Sequence, residues 1–305
     1  MPIAEAKYIW MNGKYVQWNE AKVHVLTHGL HYGTGVFEGI RAYKTQDNLV
    51  IFRLEDHMKR LARSAKLIQI PFDLSLKELC DATIELLRKN EIRESAYIRP
   101  IVFVGYGGIG LDFSGFPISA AISAFPYAKY FGKSALNVCT STWRRIWDAS
   151  LPPQAKACGN YLNSVLARME ARARGVDEAI LLDHNGTVSE GSGENIFVVE
   201  DGKVATPPLS SSVLAGITRD SVIKLAHDEG ISIVERPVSR AELYTADEVF
   251  FSGTAAEITP ILQIDGRTIG QNTEGKVTAA LSGIYARAVT GAIEKYREWL
   301  TEVYP

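Results

Sequence analysis

The chain has 305 residues, 46% hydrophobic and 22% charged, a composition that lets a globular protein bury a large core without disulfide or metal staples. Lys plus Arg number 33 and Asp plus Glu 35, a formal net charge of −2, which excludes a polyanion binder working through bulk positive charge but not a small cluster of cations around a phosphate. No apolar run approaches the ~18 residues of a membrane helix, the opening MPIAEAKYIWMNGKY lacks the order of a secretory signal, and Cys80, Cys139 and Cys158 form no Cys-x-x-Cys pair, so a cytoplasmic protein with neither membrane nor nucleic-acid partner is expected.

At about 150 residues per domain the length predicts two domains. Tyr8 to Trp18 reads as a hairpin closed by Asn12-Gly13. A Gly-rich stretch follows from His28 to Arg41. Leu54, Met58, Leu61, Ala65 and Ile68 recur at helical spacing, and Pro71 stops that helix. Ser75-x-x-Glu78 is a capping box opening a second helix, with Leu79, Thr83 and Leu87 on one face. Ala96–Val104 and Ile118–Phe125 read as strands, which makes residues 1–125 a small α+β domain. Residues 126–134 have no periodicity and read as an interdomain loop. Residues 135–305 read as a larger α/β domain. Its strands are expected near Leu136–Thr142, Glu178–Leu182, Asn195–Val199, Ile231–Glu235 and Glu248–Ser252. Its helices are expected near Tyr161–Arg174, Thr218–Asp228 and Val277–Thr301. Asn160 is the expected N-cap of the first of these and Gly175 its C′ residue, while Asn185-Gly186, Asp201-Gly202 and Asp265-Gly266 mark tight turns.

Gly105–Gly110 matches G-x-G-x-x-G, but Leu111–Pro117 reads as loop and no acidic residue lies between Asp112 and Asp148, so the context of a dinucleotide fold is missing. His24, His28 and His31 have spacings a metal could use, yet Gly29, Gly33 and Gly35 argue against one helix presenting all three; no metal is expected. Gly191-Ser192-Gly193 lacks the spacing of a nucleophile elbow. Leu214–Asp220 is a small-residue loop running into a helix, a ready phosphate cradle. Ser252–Glu257 puts small residues at a strand end, where a ligand can approach backbone amides. Lys156, flanked by alanines beside a helix start, could serve Schiff-base chemistry. Taken singly, Lys156 and Glu190 are as well read as solvated charges.

Taken in order, Lys156-Ala-Cys-Gly-Asn-Tyr161, Ser189-Glu-Gly-Ser-Gly-Glu-Asn195, Leu214-Ala-Gly-Ile-Thr-Arg-Asp220 and Ser252-Gly-Thr-Ala-Ala-Glu257 resemble the motifs of the fold-type IV pyridoxal-phosphate enzymes, the class IV aminotransferases. Tyr8–Gly13, His31–Arg41, Phe52-Arg53 and Ala96–Pro100 are similar to the branched-chain amino-acid aminotransferases, and the resemblance covers nearly the whole chain. It implies a two-domain α/β enzyme whose larger domain is a mixed, barrel-like sheet. The implied activity moves an amino group between L-leucine, L-isoleucine or L-valine and 2-oxoglutarate by a ping-pong course. Lys156 is implied to carry pyridoxal 5'-phosphate as an internal aldimine, Glu190 to pair with the pyridine nitrogen and Tyr161 with O3′. Arg53, Leu214, Gly216, Ile217, Thr218 and Thr254 complete the implied cofactor set. Tyr97, Arg99 and the amides of Ala255 and Ala256 match groups that secure an α-carboxylate, and Phe37, Gly39, Tyr127 and Tyr130 match an apolar side-chain pocket. Tyr32 and Leu111 match residues that reach the site of a partner subunit, which implies a homodimer or a higher assembly. The same resemblance places the site between the two domains and makes 126–134 its lid. Tyr127 stands where many relatives have tryptophan, Leu111 where valine is frequent and Cys158 where glycine is common; the first two bear on substrate range, since pocket volume separates aliphatic chains by only ~1–3 kcal/mol per methylene. Same-scaffold alternatives are D-amino-acid or (R)-amine transamination and an aminodeoxychorismate lyase; outside the scaffold, Gly105–Gly110 would serve a dinucleotide-dependent reductase or a non-catalytic binding protein.

Overall fold

In the computed structural model, which describes residues 3–127 and 132–305, Asn12 and Gly13 have φ of 47° and 82°. Both central residues are therefore left-handed, the backbone that lets a two-residue turn follow the twist of its strands. They join β1 (Tyr8–Met11) to β2 (Lys14–Gln17), with Met11 opposite Lys14. There follow α1 (His28–Tyr32), β3 (Gly35–Phe37), β4 (Ile40–Lys44), β5 (Leu49–Phe52), α2 (Leu54–Leu67), α3 (Leu76–Lys89), β6 (Ala96–Val104) and β7 (Ile118–Pro126). The second half contains β8 (Leu136–Arg144), α4 (Tyr161–Ala173), β9 (Glu178–Leu182), β10 (Val188–Gly191), β11 (Asn195–Glu200), β12 (Lys203–Thr206), α5 (Ile217–Asp228) and β13 (Ile233–Glu235). The chain ends with α6 (Arg240–Thr245), β14 (Glu248–Gly253), β15 (Glu257–Ile264), β16 (Arg267–Thr268), α7 (Lys276–Val289) and β17 (Leu300–Glu302).

Two units form. The first holds Met1–Ala128, Ala155–Gly159 and Ala288–Pro305; the second holds Lys129–Gln154 and Asn160–Arg287. The first unit is built on a sheet of order β17-β5-β4-β6-β7-β1-β2, with β3 paired to β6. Leu54, Met58, Leu61 and Ala65 of α2 and Leu79, Leu86 and Leu87 of α3 pack with Ile40, Ile51, Ile98 and Ile122 of that sheet. The Ser75–Glu78 capping box opens α3, its two reciprocal bonds both formed.

The second unit is built on a mixed sheet of order β10-β9-β8-β15-β14-β11-β12-β13. Four strands separate β10 from β11 in that order, yet the tight turn Gly191–Glu194 joins them, closed by Gly191 N–H to Glu194 O at 2.6 Å. Only a sheet coiled back on itself allows both facts, which is the barrel-like form. Phe251, Ile196, Ile180, Val188 and Ile261 fill its core, and α4 covers β8 and β9 with Ala167 and Ala171.

Three expectations change. The helix over Val277–Thr301 stops at Val289; Gly291, at φ 76°, turns the chain, and Leu300–Glu302 adds as an edge strand to β5. Asn160 sits at the N-cap of α4 but does not cap it, because its amide donates to Pro152 O at 3.0 Å. The boundaries 1–125, 126–134 and 135–305 treat each domain as one stretch, whereas the first unit takes back 155–159 and 288–305, so Lys156 belongs to it. The reason is backbone pairing: Phe37 N–H donates to Lys156 O (3.0 Å), Cys158 N–H to Gly35 O (2.8 Å) and Gly159 N–H to Gly33 O (3.1 Å). Residues 128–131 of the expected lid lie outside the described residues. Gly175 does serve as the C′ residue of α4, at φ 72°, and Asp201-Gly202 and Asp265-Gly266 turn left-handed. Among the described residues no helix is long and apolar enough to cross a membrane.

The pairing of Gly33 with Gly159 leaves no room for a side chain: a Cβ on Gly33, at φ 68°, would lie 2.8 Å from Gly159 Cα. Gly33→Ala should therefore lower unfolding free energy by about 1–3 kcal/mol, read from denaturant titration; an unchanged midpoint would contradict the strap.

Candidate active site

In the first unit, Lys156 is held through its backbone. Its N–H donates to Ser64 Oγ (3.0 Å) at the end of α2, and its carbonyl accepts from Phe37 N–H (3.0 Å) at the end of β3. Its amine lies 5.3 Å from the centroid of the Phe37 ring. The Arg99 guanidinium stands 4.8 Å from the same centroid and donates to the Tyr97 hydroxyl at 2.9 Å. Arg99 and Tyr97 are two apart on β6 and so project from one face of the sheet. A Cβ on Gly39 would lie 2.1 Å from the Tyr97 hydroxyl, so that position must be glycine for Tyr97 to reach it. Tyr127 closes this group, its ring 5.2 Å from Tyr97 and the Arg41 guanidinium 5.3 Å from its centroid. Burial, with the nearby Tyr97 hydroxyl, pushes the Tyr127 phenol up.

Arg53 joins β5 to α2 with a left-handed backbone, φ 50°. Its N–H donates to Trp299 O (2.6 Å), its Nε to Asp56 (2.6 Å), and its guanidinium lies 5.3 Å from the Trp299 ring centroid. The C-terminal return of the chain thus fixes this arginine. The structure brings Phe37, Gly39, Tyr97, Arg99 and Tyr127 into one linked group with Lys156, and Arg53 starts the helix whose Ser64 holds the lysine. Tyr130 lies outside the described residues. Tyr32 on α1 and Leu111 on the 105–117 loop are exposed, at 40% and 82%.

His24, His28 and His31 are engaged by backbone and hydroxyl groups. His28 bonds Thr34 Oγ1 (2.7 Å) and Gly110 O (2.8 Å), His31 bonds Val25 O (2.8 Å), and His24 accepts from Leu26 N–H (3.1 Å). Among the described residues no group of His, Cys, Asp and Glu could hold a metal ion. Gly105–Gly110 is a loop with no helix after it; its Gly107 and Gly108 lie against Phe116.

In the second unit Glu190, Leu214 and Gly216 gather around Asn195, which opens β11. The Glu190 carboxylate is buried at the end of β10 and accepts from Asn195 Nδ2 and Leu214 N–H, both at 3.0 Å. Arg145 Nε lies 2.8 Å from its other oxygen, a charge pairing off the axis of a directed hydrogen bond. Asn195 also donates to Leu214 O (3.1 Å), and a Cβ on Gly216 would lie 1.9 Å from Asn195 Oδ1. Gly216 is therefore required where the loop turns into α5, and Ile217 and Thr218 open that helix at the positive end of its dipole. Thr254, Ala255 and Ala256 form the turn between β14 and β15, which pairs Asn195 with Ser252. Tyr161 opens α4, and Asn163 two residues on accepts from Arg145 Nη1 at 3.3 Å. Arg145 and Asn195 were missed as functional residues. Asn195 lies inside a motif already singled out; Arg145 carries no local signal, since only folding sets it against Glu190.

Next to Glu190 sits a second buried carboxyl. Burial first, then the charge of Glu178, pushes Glu194 up to about 8, against the opposing pull of the Gly193 N–H and Arg168. A carboxyl raised in the fold stabilises it fully below the unfolded value near 4.5 and loses that contribution as pH rises through about 8. Glu194→Gln should therefore gain thermal midpoint over the parent chain progressively between pH 5 and 8.5; a gap constant across that range would refute the assignment.

The profile of the family Amino-transferase class IV matches residues 35–264. The branched-chain-amino-acid aminotransferase of Escherichia coli is 47% identical over 308 aligned positions, covering 99% of both chains. The solved branched-chain aminotransferase of Thermoproteus uzoniensis with norvaline is 49% identical, with TM-score 0.96, covering 98% of this chain and 100% of that one. That from T.th., complexed with N-(5'-phosphopyridoxyl)-L-glutamate, is 46% identical with TM-score 0.94, covering 98% and 99%. With the motifs in order, the barrel-like sheet and full-length similarity in agreement, the chain belongs to the class IV aminotransferases, in their branched-chain-amino-acid branch.

Proposed function

We propose that this chain is a pyridoxal 5'-phosphate-dependent transaminase moving the amino group between L-leucine, L-isoleucine or L-valine and 2-oxoglutarate. The observation that carries the reading is Lys156 clamped on both sides of its backbone, its amine over the Phe37 ring and Arg99 over the same ring. The adduct in the T.th. relative joins the cofactor's carbon skeleton to glutamate, the donor that 2-oxoglutarate becomes. D-amino-acid, (R)-amine and lyase chemistry are not favoured by full-length relatives that share one name.

The residues fit the cofactor. Gly216 keeps the start of α5 clear of any side chain, and the buried Glu190 is charge-compensated by Arg145 and oriented by Asn195 and Leu214. When bound, pyridoxal phosphate supplies an electron sink for the carbanion left by loss of the substrate's Cα proton. The Lys156 amine takes that proton and returns it. Glu190 keeps a proton on the pyridine nitrogen, and the Tyr161 hydroxyl serves O3′. Arg53, the amides of Ile217 and Thr218 and the Thr254 hydroxyl hold the phosphate through charge and dipole. Arg99, Tyr97 and the amides of Ala255 and Ala256 take the α-carboxylate. Phe37, Gly39 and Tyr127 line the aliphatic pocket. A cofactor held this way would let donor and acceptor use the one site in turn, a ping-pong course.

A cytoplasmic homodimer completes the reading. Leu30, Tyr32, Tyr106, Ile109 and Leu111 are exposed apolar residues of one region, where His28 ties α1 to the Gly-rich loop through Gly110 O. Such a patch marks an association surface.

The purified protein is expected to be yellow and Lys156→Ala to lose both the visible band and all transamination; a colourless parent that takes up no pyridoxal phosphate would sink the reading. Glu190→Gln should keep most of the cofactor and lose most turnover, roughly a hundredfold or more. Among L-Leu, L-Val, D-Ala and (R)-1-phenylethylamine, only the L-donors should react with 2-oxoglutarate. Light scattering should give at least a dimer, and Ile109→Asp with Leu111→Asp should yield monomers.

A further inference from the structure

Two motifs of the sequence serve neither cofactor nor metal: the histidines at 24, 28 and 31 and the Gly-rich run 105–110. In the first unit they meet. Gly105 N–H donates to Pro117 O at 2.7 Å and closes residues 105–117 into a loop. The outer side of that loop is apolar and bare, with Tyr106, Ile109 and Leu111 at 56%, 80% and 82% exposed. Its inner side rests on a polar ring. His28 is 1% exposed and donates its N–H to Gly105 O at 3.1 Å. The rings of Phe113 and Phe116 stand edge-on to its imidazole, with centroids 5.7 and 5.6 Å away. Gly107 and Gly108 lie flat on Phe116, where a Cβ would come within 2.7 and 2.8 Å of the ring.

An imidazole this deep needs partners for its nitrogens. Nδ1 bonds Thr34 Oγ1 at 2.7 Å and Nε2 bonds Gly110 O at 2.8 Å. A carbonyl only accepts, so Nε2 carries a hydrogen toward it. Thr34 is itself fixed to the sheet, its carbonyl accepting from Val104 N–H at 3.0 Å. The ring therefore bridges from the sheet to the far side of the loop and takes hold one residue before Leu111. Among the described residues no atom lies within 4 Å of where a Gly110 Cβ would be, so the bond to His28, rather than packing, pins that point. The Tyr32 ring, one turn on along α1, lies 4.4 Å from the His28 ring, centroid to centroid.

We propose that His28 is a positioning residue for substrate selection: it fixes Tyr32 and Leu111 together as one wall against the aliphatic end of a substrate in the partner subunit. This deepens the homodimer reading above and rests on it. A buried ring bonded at both ends makes the wall rigid although it stands on a loop.

His28→Phe keeps a flat apolar ring and removes both bonds. In the cofactor-loaded enzyme its KM for L-leucine should rise roughly tenfold while kcat stays within about threefold, because the wall meets the aliphatic chain and not the reacting atoms. For L-2-aminobutyrate, whose shorter chain leans less on the wall, KM should move less than about threefold. Leu111→Ala should give the same leucine-selective rise, and adding His28→Phe to it should cost less than about a further twofold, since both changes act on one wall. A merely structural ring would weaken both donors alike, lower kcat alone or add its full effect to Leu111→Ala, and any of these overturns the proposal. Should His28→Phe fail to fold, Thr34→Val releases only the sheet end of the tie and should raise KM for L-leucine about threefold; an unchanged KM there refutes it. A parent chain that is monomeric by light scattering sinks the homodimer reading and this proposal with it. A dimeric, active parent whose His28 and Thr34 variants keep its KM sinks the proposal alone.

Discussion

The placement of Lys156 depends on five residues, Ala155–Gly159, being hydrogen-bonded along Gly33–Phe37, with Ala157 bridged to Val36. Without that strap the lysine would sit on a connection of the second unit, far in sequence from Phe37, Tyr97 and Arg99. Backbone hydrogen bonds are a sound way to fix it, because they orient the lysine's main chain while leaving its amine to chemistry. The constraint reaches the composition of both segments. Gly33 and Gly159 approach too closely for side chains, and Gly35 meets Cys158 Sγ and the Phe103 side chain, each 3.1 Å from where its Cβ would be. This is where the Gly-rich stretch from His28 to Arg41 finds its reason.

The second unit solves a different problem, the burial of a carboxylate. Glu190 would be costly at that depth without compensation. Arg145 supplies charge, while Asn195 and Leu214 N–H supply direction. Asn195 links three expected motifs at once: its own strand, the loop into α5 through Leu214 and Gly216, and the β14–β15 turn through its pairing with Ser252. Through its side-chain amide and its strand backbone together, Asn195 ties pieces of chain that sequence order separates by dozens of residues. The near-neutral charge of the chain suits this arrangement, since the Glu190 charge is answered locally by Arg145.

Much of the fold was legible. The hairpin at Asn12-Gly13, the capping box at Ser75 and Glu78 and the strand Ala96–Val104 depend on local chemistry, and each formed where its residues predict. The expected helix through Thr301 did not, because Gly291 ends it and pairing of Leu300–Glu302 with β5 rewards an extended chain. Periodicity could not weigh that distant strand. Polar residues beside the apolar face of a helix ordinarily face water, so the sequence of α2 gives no signal that His57 and Arg60 are buried against Glu38.

By itself the sequence determined the local elements, the turn types and, through the order of its motifs, the family. Tertiary structure alone decided that Lys156 belongs to the first unit, that Arg145 and Asn195 serve Glu190, and that His57 and Arg60 close on Glu38. The physical reason is common to all three. Each depends on a partner brought near by the closing of a sheet or the return of the chain, and neither propensity nor spacing carries information about which distant residue will answer a buried charge or an open backbone edge.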